Sequence, residues 1–289
     1  MPAHTKPNPY LPFPPGLHSR WLTFPWGKMH MALGGQGPPL ALIHGLGGSC
    51  EDFFYSAPFL MPQRLLLIPD LPGFGRSDKP DSSYSMDWML KQIEEFASSM
   101  ELKGLEWLGH SMGGLLVLWL AVLHPQLVSR LIAVCPAGGH VHTSWLYRAL
   151  YTFLVTKEDT LRYWRPCFND WAIKRIFSDP SKPAAQELKQ RLSAQRAGPD
   201  HLLRERALIR AGRGVLRRQI WNEVGEIQAP VLMVIGAKDK VVPAPQTRRL
   251  FAHLPANKKM VSLDCGHMPP YSKPKELSRA VLAFITAGR

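Results

Sequence analysis

The run LEWLGHSMGGLLVLWLAVLH, residues 105–124, decides how the rest of the chain is read. Leu105–Leu108 has the length and apolar character of a short buried strand. Met112–Leu123 reads as an apolar helix, closed by His124 and Pro125. Between them lies Gly109-His110-Ser111-Met112-Gly113, a Gly-x-Ser-x-Gly pattern. This pattern marks a sharp strand-to-helix turn that holds a serine in a strained conformation with its hydroxyl exposed. Glycine is needed two residues to either side, because a Cβ there would meet neighbouring backbone. The pattern is short, and it gains its meaning from the strand before it and the helix after it.

Upstream, Trp21–Phe24 and Lys28–Leu33 read as two strands joined around Pro25-Trp26-Gly27. Leu40–His44 is an apolar strand running into Gly45-Leu46-Gly47-Gly48, after which Ser49 is expected to cap a helix over Cys50–Leu60. Arg64–Pro69 is the next buried strand, followed by a Gly/Pro loop from Asp70 to Ser77. Ser85–Met100 has helical spacing. Downstream, Leu131–Val134, Val231–Ile235 and Met260–Leu263 are further buried strands, with helices predicted over Pro245–His253 and Lys275–Ile285. Short apolar strands alternating with helices imply an α/β fold, a mostly parallel central sheet with helices on both faces.

Two segments depart from this rhythm. Residues 1–20 begin with a Pro-rich stretch and are read as an N-terminal arm. Residues 140–220 contain no convincing strand, only helix-like runs at Trp145–Leu154, Thr160–Phe168, Ala184–Ala197 and His201–Ala211. They are expected to form a helical cap inserted into a core made of residues 21–139 and 221–289. Its aromatic residues are expected to form mostly the cap's own core, with a minority facing a pocket. His140–Arg213 holds 14 Lys/Arg against 7 Asp/Glu, so more than half of the chain's net charge of +13 lies there.

Composition narrows the function. With 289 residues, 45% apolar and 20% charged, the chain has the make-up of a globular enzyme with one large core. The N-terminus carries no signal-peptide pattern, and the longest apolar run, Leu115–Leu123, is far short of the roughly 20 residues that span a bilayer. A cytoplasmic protein is expected. Cys50, Cys135, Cys167 and Cys265 are widely spaced, which fits reduced thiols. Neither zinc spacing nor a phosphate-binding loop is present, so no cofactor or metal is expected. The basic balance reads first as a solvated surface, and beyond that as peripheral association with an anionic membrane or an acidic substrate. Nucleic acid is not expected as a partner, since the Lys/Arg are dispersed and no recognition motif occurs.

A serine hydroxyl needs a base to become a nucleophile, and the base needs a carboxylate to hold its tautomer. On a parallel sheet these partners arrive on loops after later strands, in the order serine, acid, histidine. Asp239 follows the Val231–Ile235 strand, and His267 follows Met260–Leu263. Asp264 is a second acid candidate, less suited because it adjoins the strand and lies close to His267 in sequence. Acyl transfer also needs donors for an oxyanion. The Met112 N–H, at the start of a helix, is one; the loop after His44 supplies the other, assigned to Leu46.

These residues resemble the α/β-hydrolase fold superfamily. The resemblance rests on His44-Gly45-x-Gly47-Gly48, Asp70-x-Pro72-Gly73-x-Gly75-x-Ser77, Gly109-His110-Ser111-Met112-Gly113-Gly114, the Asp239 loop and Gly266-His267. It extends from about Trp21 to the C-terminus apart from the cap, and is of the capped type that includes carboxylesterases, lipases, C–C bond hydrolases and cofactor-free haloperoxidases. It implies Ser111 as nucleophile, His267 as base and Asp239 as orienting acid, with His44 and Phe74 lining the site. For His44 a buried hydrogen-bonding role is the preferred reading, and His110 is read as structural. Serine at the nucleophile position argues against epoxide hydrolases and haloalkane dehalogenases, which carry aspartate there. The expected activity is cleavage of a small-molecule carboxylic ester, largely apolar, through an acyl-enzyme. Lysophospholipase, monoacylglycerol lipase, acyl-thioesterase and C–C hydrolase chemistry are the alternatives, with a non-enzymatic ligand sensor on the same fold behind them.

Overall fold

The central strands carry apolar residues at almost every position because both faces of the sheet are covered. In the computed structural model, which describes residues 10–101, 103–139 and 167–287, eight strands form one sheet. They are β1 (Leu17–Phe24), β2 (Gly27–Gly35), β3 (Pro39–Ile43), β4 (Leu65–Pro69), β5 (Leu105–His110), β6 (Val128–Val134), β7 (Val231–Gly236) and β8 (Lys258–Leu263). Their order is β1-β2-β4-β3-β5-β6-β7-β8. The β1–β2 hairpin is antiparallel and joins β4 antiparallel; from β4 onward every pairing is parallel. β5 and β7 have no residue that is more than slightly exposed.

The alternation of a strand sorts these side chains into two cores. Leu40, Leu42, Leu66, Ile68, Leu108 and Val234 point to one face. Ala41, Ile43, Leu67, Trp107, Leu131 and Met233 point to the other. The first core is closed by α1 (Ala57–Leu60) and, in the C-terminal segment, the last helix, Pro274–Thr286. The second is closed by α2 (Met86–Ser99) and α3 (Met112–Leu123). The Ser85 hydroxyl caps α2 by accepting the Trp88 N–H at 3.2 Å. α3 is apolar all round because it is buried along nearly its whole length.

Among the described residues between β6 and β7 are three further helices: α4 (Cys167–Ile176), α5 (Pro183–Arg196) and α6 (His201–Arg217). No strand lies among the described residues of that segment. The helix expected at Trp145–Leu154 and most of that at Thr160–Phe168 lie outside the described residues. After β7 come α7 (Ala244–His253), then α8 (Pro269–Ser272) and α9 (Pro274–Thr286) beyond β8. Among the described residues no helix is long and apolar enough to cross a membrane. Cys50, Cys135 and Cys265 are buried thiols.

Two expectations are corrected. The segment read as an arm already contributes sheet, since β1 begins at Leu17 rather than Trp21. The helix expected over Cys50–Leu60 is instead a 3₁₀ turn, Cys50–Phe53, followed after a break by the single turn of α1. Pro58 sits inside that run and has no N–H to continue a helical ladder. The Ser49 side chain makes no cap bond. Asp70 takes its place, accepting the Cys50 N–H on Oδ1 at 2.6 Å.

Asp70 is the knot of the Asp-x-Pro-Gly-x-Gly-x-Ser loop. Its Oδ2 accepts from His30 Nδ1 at 2.8 Å and from the Arg76 N–H at 2.8 Å. Gly75 is required here, because a Cβ would lie 2.4 Å from either Asp70 carboxylate oxygen. Burial alone would raise the Asp70 carboxyl; the hydrogen bond and charge of His30 overcome it and bring it down to about 2. A folded value below the ordinary 3.8 means that the unfolded chain binds the proton more readily. This stabilisation is fully present above about pH 4 and is lost as pH falls through about 2, an effect of about 2 kcal/mol. Asp70→Asn should be less stable at neutral pH and should show a shallower loss of stability in acid. Denaturant titrations at a series of acidic pH values check this, and an unchanged acid slope would contradict it.

Candidate active site

The turn after β5 is built from close approaches. A Cβ on Gly109 would lie 2.2 Å from the Gly113 carbonyl oxygen, and one on Gly113 would lie 2.2 Å from that of Ile43. Ser111 is held at φ 53, ψ −113, a conformation that non-glycine residues rarely adopt. The surroundings keep it there. Its N–H donates to Val134 O at 2.9 Å, and its carbonyl accepts from Leu115 and Ala137 at 3.1 and 3.0 Å.

The structure brings Ser111, His267 and Asp239 together. His267 Nδ1 lies 2.7 Å from Asp239 Oδ2, and His267 Nε2 lies 2.9 Å from Ser111 Oγ. Asp239 Oδ1 is occupied by the N–H groups of Val241 and Val242 at 2.8 and 2.9 Å. Burial pushes the Asp239 carboxyl up, but the charge and hydrogen bond of His267 and the two backbone donors hold it below its ordinary value. An ionised carboxylate only accepts, so His267 donates from Nδ1 and offers Nε2 as the acceptor for the Ser111 hydroxyl. Asp264, the second acid candidate, is exposed and paired with Lys238 at 2.7 Å, away from His267.

His267 is also held through its backbone. Its N–H donates to Ile176 O, at the end of α4, at 2.7 Å. Its carbonyl accepts from His110 Nε2 at 2.7 Å. Burial, and then the nearby His267, push the His110 imidazole down to about 4, so the ring is neutral near pH 7 and its one proton serves this bond. The structural reading of His110 matches this geometry.

The loop Gly45–Gly48 lies against the serine. A Cβ on Gly45 would be 3.1 Å from Ser111 Cβ, and Gly47 adopts φ +74. The loop closes on itself through Gly48 N–H to Gly45 O at 3.1 Å. Met112 is buried at the first position of α3, where backbone N–H groups have no acceptor one turn earlier. His44, named from sequence as a site-lining residue, is instead a strut. It is fully buried, its Nε2 accepts the Leu71 N–H at 2.9 Å, and its Nδ1 donates to Gly45 O at 2.8 Å. Both ring nitrogens are used in shaping the two loops. Phe74 packs edge-on to His44 and borders a cavity of about 170 Å³.

That cavity lies between the Gly45–Gly48 loop and helices α4, α5 and α6. Leu46, Phe74, Ile176, Leu188, Leu208 and Met268 give it apolar walls, and Met268 adjoins His267 in the chain. Its polar wall was not anticipated. Arg191 of α5 pairs with Glu51 at 3.0 Å and Asp52 at 2.8 Å, all three buried. Arg204 of α6 donates to Gly47 O at 3.1 Å. In the sequence these arginines look like any others in a basic segment, and nothing local marks them. Among the described residues, His30/Cys50/Asp70 and Cys135/Asp239/His267 bring metal-ligand atoms within 4.8 Å of one another. In each group the carboxylate oxygens already serve the hydrogen bonds given above.

Comparison with known proteins agrees with this architecture. A protein of Pseudomonas putida, a dihydrolipoyllysine-residue acetyltransferase component of an acetoin cleaving system, is 29% identical over 88% of this chain. The chain spans 65% of that relative's length. A 2-hydroxy-6-oxo-6-(2'-aminophenyl)hexa-2,4-dienoic acid hydrolase of Metapseudomonas resinovorans is 25% identical, covering 87% of this chain and 85% of its own. A pimeloyl-[acyl-carrier protein] methyl ester esterase of Edwardsiella ictaluri is 28% identical, covering 85% and 92%. The solved structure of a bacterial membrane phospholipase A superposes with a TM-score of 0.79 at 26% identity, covering 93% of this chain and 86% of that one. The family model for the alpha/beta hydrolase fold matches residues 38–274, from the start of β3 to the start of α9. With the strand order, the serine turn and the loops that follow β3, β7 and β8 all in place, the chain belongs to the α/β-hydrolase fold family.

Proposed function

We propose that this protein is a serine hydrolase that cleaves a carboxylic ester of a largely apolar substrate through an acyl-enzyme. The observation that carries the reading is the hydrogen-bonded relay from Asp239 through His267 to Ser111, at 2.7 and 2.9 Å. His267 Nε2 takes the hydroxyl proton as Ser111 Oγ adds to the ester carbonyl carbon. The oxyanion that forms is stabilised by the N–H groups of Met112 and Leu46. Collapse expels the alcohol, which receives its proton from His267, and a water activated by the same imidazole then releases the acid. Helices α4–α6 serve as the lid of this site and supply its apolar walls. Stoichiometric labelling of Ser111 by a fluorophosphonate tests the reading, and full turnover by Ser111→Ala would sink it.

A second reaction type is favoured by one comparison. The Metapseudomonas relative is named for a dienoic acid whose hydrolysis is not that of an ester. Rates on ring-cleavage dienoates against simple esters separate the two chemistries.

The same reading includes contact with an anionic membrane surface. Leu202 and Leu203 at the start of α6 and Trp171 of α4 are exposed, on the segment that carries much of the positive charge. The protein is expected to pellet with phosphatidylglycerol vesicles and to remain in solution with phosphatidylcholine vesicles. Equal partition would remove the membrane from the proposal.

A further inference from the structure

The charges around the cavity do not balance. Glu51 accepts from Arg76 at 2.9 Å and from Arg191 at 3.0 Å, and Asp52 accepts from Arg191 at 2.8 Å. Two cations and two anions therefore neutralise each other on the α5 side. Arg204 stands outside that group. It lines the cavity, and its hydrogen bond goes to the neutral carbonyl of Gly47. Its Nε–H is shut away from solvent without an acceptor. Arg191, facing the same space, also has an enclosed Nε–H without an acceptor.

The neighbouring acids are engaged elsewhere. Asp200 is bound by Lys79 at 2.8 Å, and Glu205 lies 3.9 Å from Arg196. Burial, and next the repulsion of Arg191, bring the Arg204 guanidinium down to about 10, against the opposing influence of Tyr10 and Asp200. A half-buried guanidinium whose Nε–H is sealed without an acceptor is costly unless an anion joins it. Its position is informative too. The carbonyl it holds is one residue from Leu46, and Leu208, one helical turn further along α6, packs against the same Gly47.

We propose that Arg204 receives a carboxylate or phosphate carried by the substrate, so that the ester cleaved at Ser111 bears an anionic group next to an apolar chain. The inference rests on the esterase reading above and narrows its substrate class. Leu188, Leu192 and Leu208 accommodate the chain, while Arg204 fixes the charged end beside the Gly45–Gly48 loop.

Two matched pairs of esters test it. The para-nitrophenyl hemiester of adipate against para-nitrophenyl hexanoate places a carboxylate on the acyl side. Lysophosphatidate against the monoacylglycerol of the same chain places a phosphate on the alcohol side. In one pair the wild type should favour the charged member by about tenfold or more in kcat/KM, a size typical of a charge-assisted hydrogen bond. The pair showing the preference names the anion. Arg204→Gln should reduce that ratio by about tenfold, and Arg204→Lys should retain more of it than Arg204→Gln does.

Calorimetry with adipate and with glycerol phosphate reads the same subsite without turnover. One of the two should bind the wild type and bind Arg204→Gln about tenfold more weakly. Ratios near one in both pairs, or binding equal in wild type and variant, overturn the anion subsite even where neutral esters are turned over. Absence of turnover on all four substrates with Ser111 unlabelled overturns the esterase reading, and the calorimetric result then decides the subsite by itself.

Discussion

Replacing Ser111 by alanine is expected to lower kcat for ester hydrolysis by a factor on the order of 10⁴ to 10⁶, and His267→Ala should do nearly as much damage. The size follows from how the two groups depend on each other. The hydroxyl is a poor nucleophile unless Nε2, 2.9 Å away, removes its proton, and the imidazole has nothing to activate once the hydroxyl is gone. The double variant should therefore be little worse than either single one. Asp239→Asn is expected to cost on the order of 10⁴. An amide in place of the carboxylate removes the acceptor that keeps the proton on Nδ1 and leaves Nε2 free for Ser111. Folding should be preserved in Ser111→Ala, since the side chain supports no buried bond other than that to His267. Steady-state kinetics on a chromogenic ester, beside a melting curve for each variant, reads both expectations. Independent, multiplying losses in the double variant would show that the groups do not work as one relay.

Arg191→Met is expected to destabilise the fold by about 3–5 kcal/mol. Its guanidinium is buried, bonds Glu51 and Asp52 together, and lies 5.6 Å over the Tyr271 ring. Burial by itself would make the side chain easier to deprotonate, yet the surrounding acidic groups hold it firmly charged. Removing it leaves Asp52 without its counter-ion and Glu51 with Arg76 alone. The loss is therefore that of an orphaned buried charge, larger than the net worth of the bridge itself. For the same reason, adding Glu51→Gln and Asp52→Asn to Arg191→Met should restore much of the stability. The cluster also joins α5 to the 3₁₀ turn beside the Gly45–Gly48 loop, where a Cβ on Gly48 would lie 2.0 Å from Asp52 Oδ2. Denaturant midpoints for the single and triple variants check this. A single variant within about 1 kcal/mol of wild type would mean that solvent reaches the cluster.

The parts of the fold legible in the sequence are those with local causes. A strand covered on both faces is largely apolar, so β3 to β7 are visible as short runs without any knowledge of their neighbours. The glycines at 109 and 113 are visible because the backbone approaches them too closely for any side chain. The meeting of the three relay side chains follows from chain order on a parallel sheet: an acid after β7 and a histidine after β8 reach a serine after β5. Ser49 points to one capped helix over Cys50–Leu60, but Asp70 takes the Cys50 N–H and Pro58 has no N–H to continue the ladder, so two short turns form instead. The role of His44 was open in the sequence and was settled by the Leu71 N–H, an element 27 residues away.

The chain's own residues thus determined the sheet, the serine turn and the order in which its partners arrive, since burial on two faces, close backbone approach and chain order are written into short stretches. Only the tertiary structure decided which of many arginines on the inserted helices meet buried partners. Arg191 is buried and Arg204 half-buried, yet both occupy helical positions like those of the other arginines, and charge carries no local sign of burial. Packing α5 and α6 over the Gly45–Gly48 loop is what gave one arginine two carboxylates and the other a backbone carbonyl with an unmet donor.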